Sequence, residues 1–304
     1  MHDKKNPLIC KPETGICEIP TNRTNLKDSS RVESTIKPIN IIYFTDPICS
    51  ACWGIEPQLR KLKLEYGGDI EIEYRMGGLL PDWSYNSGGI SKPSDVAHHW
   101  DEVSIYYDMP IDGDVWLEDP LSSSYPPSIA FKAAQMQNID KALLFLREIR
   151  EMVFIKKINI SKWQNLEIAA KNVGLDIKKL KKDYEGKATE LFNEDLEKGR
   201  ELGVRGFPTI YFTDSVGNKE LVYGAKPYSV FENALLKINP KATKTEYDKS
   251  WTSIFSKYHS LTAKEFSELN SIARNETEKY LDDLTLKGKL EKRTTKNGAI
   301  WTIK

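Results

Sequence analysis

The sequence carries no surplus of charge of either sign: 44 Lys and Arg stand against 44 Asp and Glu in 304 residues. Net charge therefore argues neither for nor against a nucleic-acid or membrane partner. Long apolar runs are missing, and none approaches the roughly 20 residues of a transmembrane helix. The opening Met-His-Asp-Lys-Lys-Asn-Pro-Leu-Ile-Cys lacks the apolar core of a signal peptide. No membrane partner and a cytoplasmic location are the expectations. There is no internal repeat or low-complexity tract. Cysteine is scarce, at four residues. In a reducing compartment such cysteines are more often catalytic, redox-sensing or metal-binding than structural. The remaining composition, 39% hydrophobic with a mean hydropathy of −0.51, fits a soluble protein of one large or two modest domains.

Two of the four cysteines are Cys49 and Cys52, within Asn40-Ile-Ile-Tyr-Phe-Thr-Asp-Pro-Ile-Cys-Ser-Ala-Cys-Trp-Gly-Ile-Glu-Pro57. An apolar run precedes them and a helical pattern follows, which puts both sulfurs at a strand-to-helix turn. At a helix N-terminus the orphan N–H groups and the helix dipole favour a thiolate, the form that attacks disulfides. On this reading Cys49 is the more exposed, attacking thiol and Cys52 resolves the mixed disulfide. Far along the chain, Gly203-Val-Arg-Gly-Phe-Pro-Thr-Ile-Tyr-Phe-Thr213 opens an apolar strand with a proline, and X–Pro bonds alone have an appreciable cis population.

The expected order is a strand at 40–45, a helix at 50–66, a strand at 70–76, helices at 95–107, 128–138, 140–154, 161–172, 176–184 and 187–202, strands at 208–213 and 220–224, and a helix at 227–238. Ser161 with Gln164 and Thr262 with Glu265 have capping-box spacing. Residues 1–38 read as a Cys-containing segment and linker, 39–91 and 203–240 as one α/β domain, 92–202 as a helical domain inserted into it, and 241–304 as a separate unit. Helices at 245–258, 262–269 and 272–288 with a terminal hairpin at Asn297-Gly298 make that last unit winged-helix-like.

These motifs resemble the DsbA-like branch of the thioredoxin superfamily, in which a helical domain interrupts the thioredoxin fold. Within it the chain looks most like FrnE-type cytosolic oxidoreductases and the thioredoxin-like ClpXP adaptors that deliver Spx for degradation. The resemblance rests on Asp46-Pro-Ile-Cys-Ser-Ala-Cys-Trp-Gly-Ile-Glu-Pro57, Ser128-Ile-Ala-Phe-Lys-Ala-Ala134, Phe145-Leu-Arg147, Asn159-Ile-Ser161, Gly174-Leu-Asp176 and Gly203-Val-Arg-Gly-Phe-Pro-Thr209. It implies that Pro208 is a cis-proline beside the dithiol and that Pro57 kinks the helix. The chain departs from the pattern in its Ser50-Ala51 dipeptide, and in having no acid between Asn40 and Phe44, where thioredoxin has a buried proton acceptor.

The other candidates each have a bland alternative. Trp53 and Phe207 form an apolar surface for substrate chains or belong to the core. Thr209 borders the same groove, where backbone beside Pro208 can pair with an extended substrate. Glu56 accepts protons during resolution or is simply solvated. Cys10 and Cys17, joined by the turn-forming Pro-Glu-Thr-Gly, are a second redox pair, part of a zinc site shared with Cys49 and Cys52, or two free thiols. His98 and His99 are adjacent on a helix and point apart, so no metal is assigned to them. No cofactor is expected. The tail has 13 Lys and Arg against 9 Asp and Glu, but its candidate recognition helix carries Glu276, Glu278, Asp282 and Asp283, which repel phosphates. Nucleic acid is therefore disfavoured against docking on the body, a second copy or a client.

Two functions compete. One is a thiol–disulfide oxidoreductase or isomerase acting on protein thiols and disulfides, which needs both Cys49 and Cys52. The other is an adaptor that presents a client to a ClpXP-type protease, with the cysteines as redox sensors.

Overall fold

A computed structural model describes residues 38–84 and 92–304 and the backbone of 10–11 and 16–18. The linker expected before residue 38 lies outside the described residues.

Two short strands, β1 (Cys10–Lys11) and β2 (Ile16–Glu18), pair antiparallel. Strand β3 (Ile39–Thr45) follows, with Ile39, Ile41 and Tyr43 buried on one face and Phe44 on the other, as befits a central strand. It leads through Cys49 into α1 (Ser50–Gly54) and α2 (Glu56–Tyr66). These are one expected helix broken at Ile55, because Pro57 in the first turn of α2 supplies no backbone N–H. The crossover returns to β4 (Ile70–Met76), parallel to β3.

Among the described residues, seven helices then precede the next strand: α3 (Pro93–Tyr107), α4 (Val115–Glu118), α5 (Tyr125–Gln135), α6 (Ile139–Phe154), α7 (Trp163–Asn172), α8 (Ile177–Tyr184) and α9 (Lys187–Glu201). Buried Asp195 of α9 fixes this block to the sheet. Its carboxylate accepts from Arg75 Nη1 at 2.8 Å and from the Met76 N–H at 2.9 Å, and pairs with Lys132 of α5 at 2.9 Å. The chain re-enters through β5 (Gly206–Phe207), β6 (Thr209–Thr213), β7 (Lys219–Tyr223) and α10 (Tyr228–Ile238). The main sheet has the order β4-β3-β6-β7, with β6 antiparallel to both neighbours. This is the thioredoxin fold with inserted helices that the resemblance implies.

The tail comprises α11 (Trp251–Lys257), β8 (Ser260–Thr262), α12 (Ala263–Asn270), α13 (Arg274–Leu286), β9 (Leu290–Thr295) and β10 (Gly298–Ile303). Its three-stranded sheet, β8-β10-β9, and its own core around Phe255, Phe266, Leu281 and Trp301 give a winged-helix-like unit. The unit sits on the body. Lys296, at the tip of the β9–β10 wing, pairs with Asp101 at 2.7 Å and Asp114 at 2.5 Å. Asn297 Nδ2 donates to Asp101 and to the Ile111 carbonyl. Arg274, opening α13, makes a two-pronged contact with Asp108. The wing tip and the start of α13 are thus engaged by the body of the protein itself.

Candidate thiol–disulfide site

Cys49 is the N-cap of α1. Its sulfur accepts from the Cys52 N–H at 3.1 Å, and its own N–H donates to the Asp46 carbonyl at 3.2 Å. Cys49 and Cys52 are joined as a disulfide, with Cα atoms 5.2 Å apart. The Phe207–Pro208 peptide is cis, and β6 begins immediately after it, pairing Thr209 with Phe44 of β3. The strand that ends at the dithiol and the strand that starts at the proline are therefore neighbours.

Exposure departs from expectation. Cys49 is not the exposed thiol of the pair, since it and Cys52 are both 0% exposed. Sequence spacing fixes which sulfur begins the helix, whereas exposure depends on what covers it. Trp53 and Phe207 are also 0% exposed and belong to the core rather than to an apolar contact surface. Trp53 Nε1 donates to the Pro110 carbonyl at 3.1 Å, its ring stacks on Phe154, and the Arg147 guanidinium lies 4.3 Å above it. The Phe207 ring lies against the backbone of Gly77, where a Cβ would come within 1.7 Å of it. That close approach explains the glycine at the end of β4. Thr209 is 2% exposed and donates to the Gly206 carbonyl at 2.6 Å, which steadies the proline turn.

Glu56 is not a solvated carboxylate and not a solitary buried acid. It is bound by Arg150 and lies 3.7 Å from Arg60. Arg150, itself buried, donates to Thr45 Oγ1 at 2.6 Å and to the Asp46 carbonyl at 3.3 Å. The Glu56 carboxylate is thus held between two guanidiniums.

Asp46, to which sequence reasoning assigned no role, is fully buried three residues before Cys49. It accepts from the Ile48 N–H at 3.0 Å, the Leu79 N–H at 2.8 Å and Ser124 Oγ at 2.9 Å. Burial raises its carboxyl from 3.8 to about 6, against these hydrogen bonds, which favour the anion. Its position, Asp-Pro at a strand end just before the dithiol, is a turn signal that could have singled it out. Asp46 holds the turn that aims Cys49 at the helix start.

Cys10 and Cys17 are direct Cα partners across the β1–β2 pair. Strand β2 also pairs antiparallel with β5, setting Cys17 opposite Phe207 and Glu18 opposite Gly206.

The sequence model of a protein family described as thioredoxin matches residues 43–233. The chain belongs to the thioredoxin family. The chain is 34% identical to the ClpXP adapter protein SpxH of Halalkalibacterium halodurans, over 99% of both chains. To the protein of that name in Bacillus subtilis it is 30% identical, over 87% of this chain and 89% of the other. Among solved structures, the cytosolic disulfide reductase DsbM of Pseudomonas aeruginosa covers 66% of this chain and 99% of its own, at a TM-score of 0.54 and 20% identity; that likeness shows the fold. The match to the Halalkalibacterium halodurans protein spans 99% of both chains, so it includes the terminal unit as well as the dithiol domain. Among the described residues, no helix is long and apolar enough to cross a membrane.

Proposed function

We propose that this thioredoxin-family chain is a cytoplasmic adaptor that presents a client protein to a ClpXP-type protease, and that Cys49–Cys52 is a redox-sensing couple. The observation carrying this reading is the match to a ClpXP adapter over 99% of both chains, tail included. Two structural facts support it. The terminal unit is fixed to the body through buried charges and the wing tip, which gives two surfaces in one fixed relation. The disulfide is fully buried, which counts against rapid turnover on outside polypeptides. The test is reconstituted degradation of Spx, the client that the family resemblance implies, by ClpXP with and without this protein. Acceleration by the wild-type chain, retained in the Cys49→Ser/Cys52→Ser variant, is expected. No acceleration by the wild-type chain refutes the reading.

A second reading keeps the chain as a thiol–disulfide oxidoreductase or isomerase, with Cys49 attacking and Cys52 resolving. It is favoured by the disulfide at a helix N-cap beside a cis-proline. Insulin reduction and scrambled-ribonuclease reactivation, lost in Cys49→Ser, would support it.

A further inference from the structure

An extended polypeptide docks on a sheet by donating to and accepting from the free backbone of an edge. Beside the cis-proline, the backbone open to such pairing is β5, Gly206–Phe207. That edge is already taken. β2 of the same chain pairs with it antiparallel, Cys17 opposite Phe207 and Glu18 opposite Gly206. The same strand comes within 8 Å, Cα to Cα, of α1, the helix that begins at Cys49. On its other edge β2 pairs with β1, which sets Cys10 directly across from Cys17. Partners in such register stand about 4.5–5.5 Å apart, inside the span a disulfide bridges.

We propose that this N-terminal hairpin is an intramolecular client of the dithiol, seated on the proline edge so that Cys17 exchanges disulfides with Cys49. The exchange balances within the chain. The Cys17 thiolate attacks Sγ of Cys49, forming Cys17–Cys49 and releasing Cys52 as a thiolate that takes up a proton. The Cys10 thiolate then attacks Sγ of Cys17, forming Cys10–Cys17 and releasing the Cys49 thiolate. The Cys10/Cys17 pair has lost two electrons and Cys49/Cys52 has gained them, and the reverse sequence runs through the same intermediate. Seated there, the hairpin also occupies the edge an outside polypeptide would need, consistent with the full burial of Cys49. The proposal does not depend on protease delivery.

The test uses the full chain with Cys10→Ala/Cys52→Ala, which leaves Cys17 and Cys49 as the only thiols. Thiols brought together within one chain meet at an effective concentration of roughly millimolar. With oxidised glutathione at about a tenth of that, peptide mass spectrometry should find Cys17–Cys49 in about tenfold excess over glutathione adducts. Moving the thiol one position, with Cys17→Ala and Ile16→Cys added, shifts it to the opposite face of the strand and should abolish that excess. In the otherwise wild-type reduced chain, Glu18→Pro removes a donor from the hairpin and should speed alkylation of Cys49 by a bulky maleimide by about tenfold. Adducts or intermolecular dimers alone, equal linkage from position 16, or an unchanged alkylation rate each overturn the proposal. None of these results bears on delivery of a client to ClpXP.

Discussion

Replacing Glu265 by alanine should detach the terminal unit from the body. Its side chain is fully buried at the start of α12. It accepts from Arg147 through both oxygens, at 2.7 and 3.0 Å, lies 3.3 Å from Arg60, and takes the Thr262 N–H at 2.7 Å. Burial alone would raise this carboxyl, but Arg147 and Arg60 hold it below the ordinary carboxylate range. Removing it strands two guanidiniums whose side chains are only 11% and 10% exposed, so water cannot replace it. Breaking one partner out of a buried ion pair costs about 3–5 kcal/mol, and losing the capping box adds about 1 kcal/mol. Arg147 keeps Glu151 at 2.7 Å and Arg60 keeps Glu56 at 3.7 Å, which places the total near the lower end, about 3–4 kcal/mol. Glu265→Gln keeps an acceptor for Thr262 and should cost less. Urea unfolding followed by tryptophan fluorescence, which includes Trp301 in the terminal core, reads the change, and limited proteolysis near residue 240 reports detachment. The sign in pH follows from the lowered carboxyl: its contribution is complete above the ordinary carboxylate value and disappears as pH falls through the folded one, so wild type should lose more stability in acid than Glu265→Gln. A loss below about 1 kcal/mol in Glu265→Ala, the size of an exposed pair, would refute the reasoning.

Asp46 has the opposite sign. Its folded value of about 6 lies above the ordinary 3.8, so the folded chain binds the proton more tightly and stability falls as pH rises between the two, by about 3 kcal/mol. In urea midpoints across that range, wild type should decline relative to Asp46→Asn, and parallel profiles would count against the assignment. Gly77→Ala places a methyl 1.7 Å from the Phe207 ring and should lower stability by about 1–3 kcal/mol, the usual cost of overpacking. A thermal midpoint matching wild type would mean that Phe207 repacks freely. Lys296→Ala leaves Asp101 and Asp114 facing each other, but the lysine is 35% exposed, so the expected loss is about 1 kcal/mol or less. It should shrink as salt rises, and an effect indifferent to salt would contradict an electrostatic origin.

What the sequence made legible is what local chemistry determines. The β3 strand, the dithiol at a helix start, the helix break near Pro57 and the hairpin at Asn297-Gly298 depend on neighbours in the chain. The Thr262–Glu265 capping box formed as expected. The Ser161–Gln164 box did not, because Asn159 Oδ1 takes both the Ser161 N–H and its hydroxyl, and the helix starts after Lys162, whose side chain makes no capping bond. The helix expected over 245–258 shortened to α11 because its first residues are drawn to the body. The Thr245 N–H donates to the Glu65 carbonyl, and neighbouring Lys244 pairs with Glu65 and Glu232. The burial of Trp53 could not be read locally, since Pro110, Arg147 and Phe154 reach it from 57 residues away and more. Likewise Glu56 has the spacing of a surface helix residue, and only Arg150, from α6, makes it internal.

The charges around Glu56 and Glu265 form one sequence in space. Arg150, Glu56, Arg60, Glu265, Arg147 and Glu151 alternate in sign, each within ion-pair distance of the next. The ladder starts where Arg150 grips Thr45 and the Asp46 carbonyl, the same carbonyl that accepts the Cys49 N–H. It ends where Glu151 accepts from Ser260 in β8. An apolar interface tolerates volume-conserving exchange, whereas removing one member of a buried ladder leaves its neighbours uncompensated. The loop that aims the dithiol and the unit that carries the wing are therefore joined by contacts that resist piecemeal change. If the chain is the adaptor proposed above, holding a client and a protease in one relation, that resistance fixes the relation of its two units.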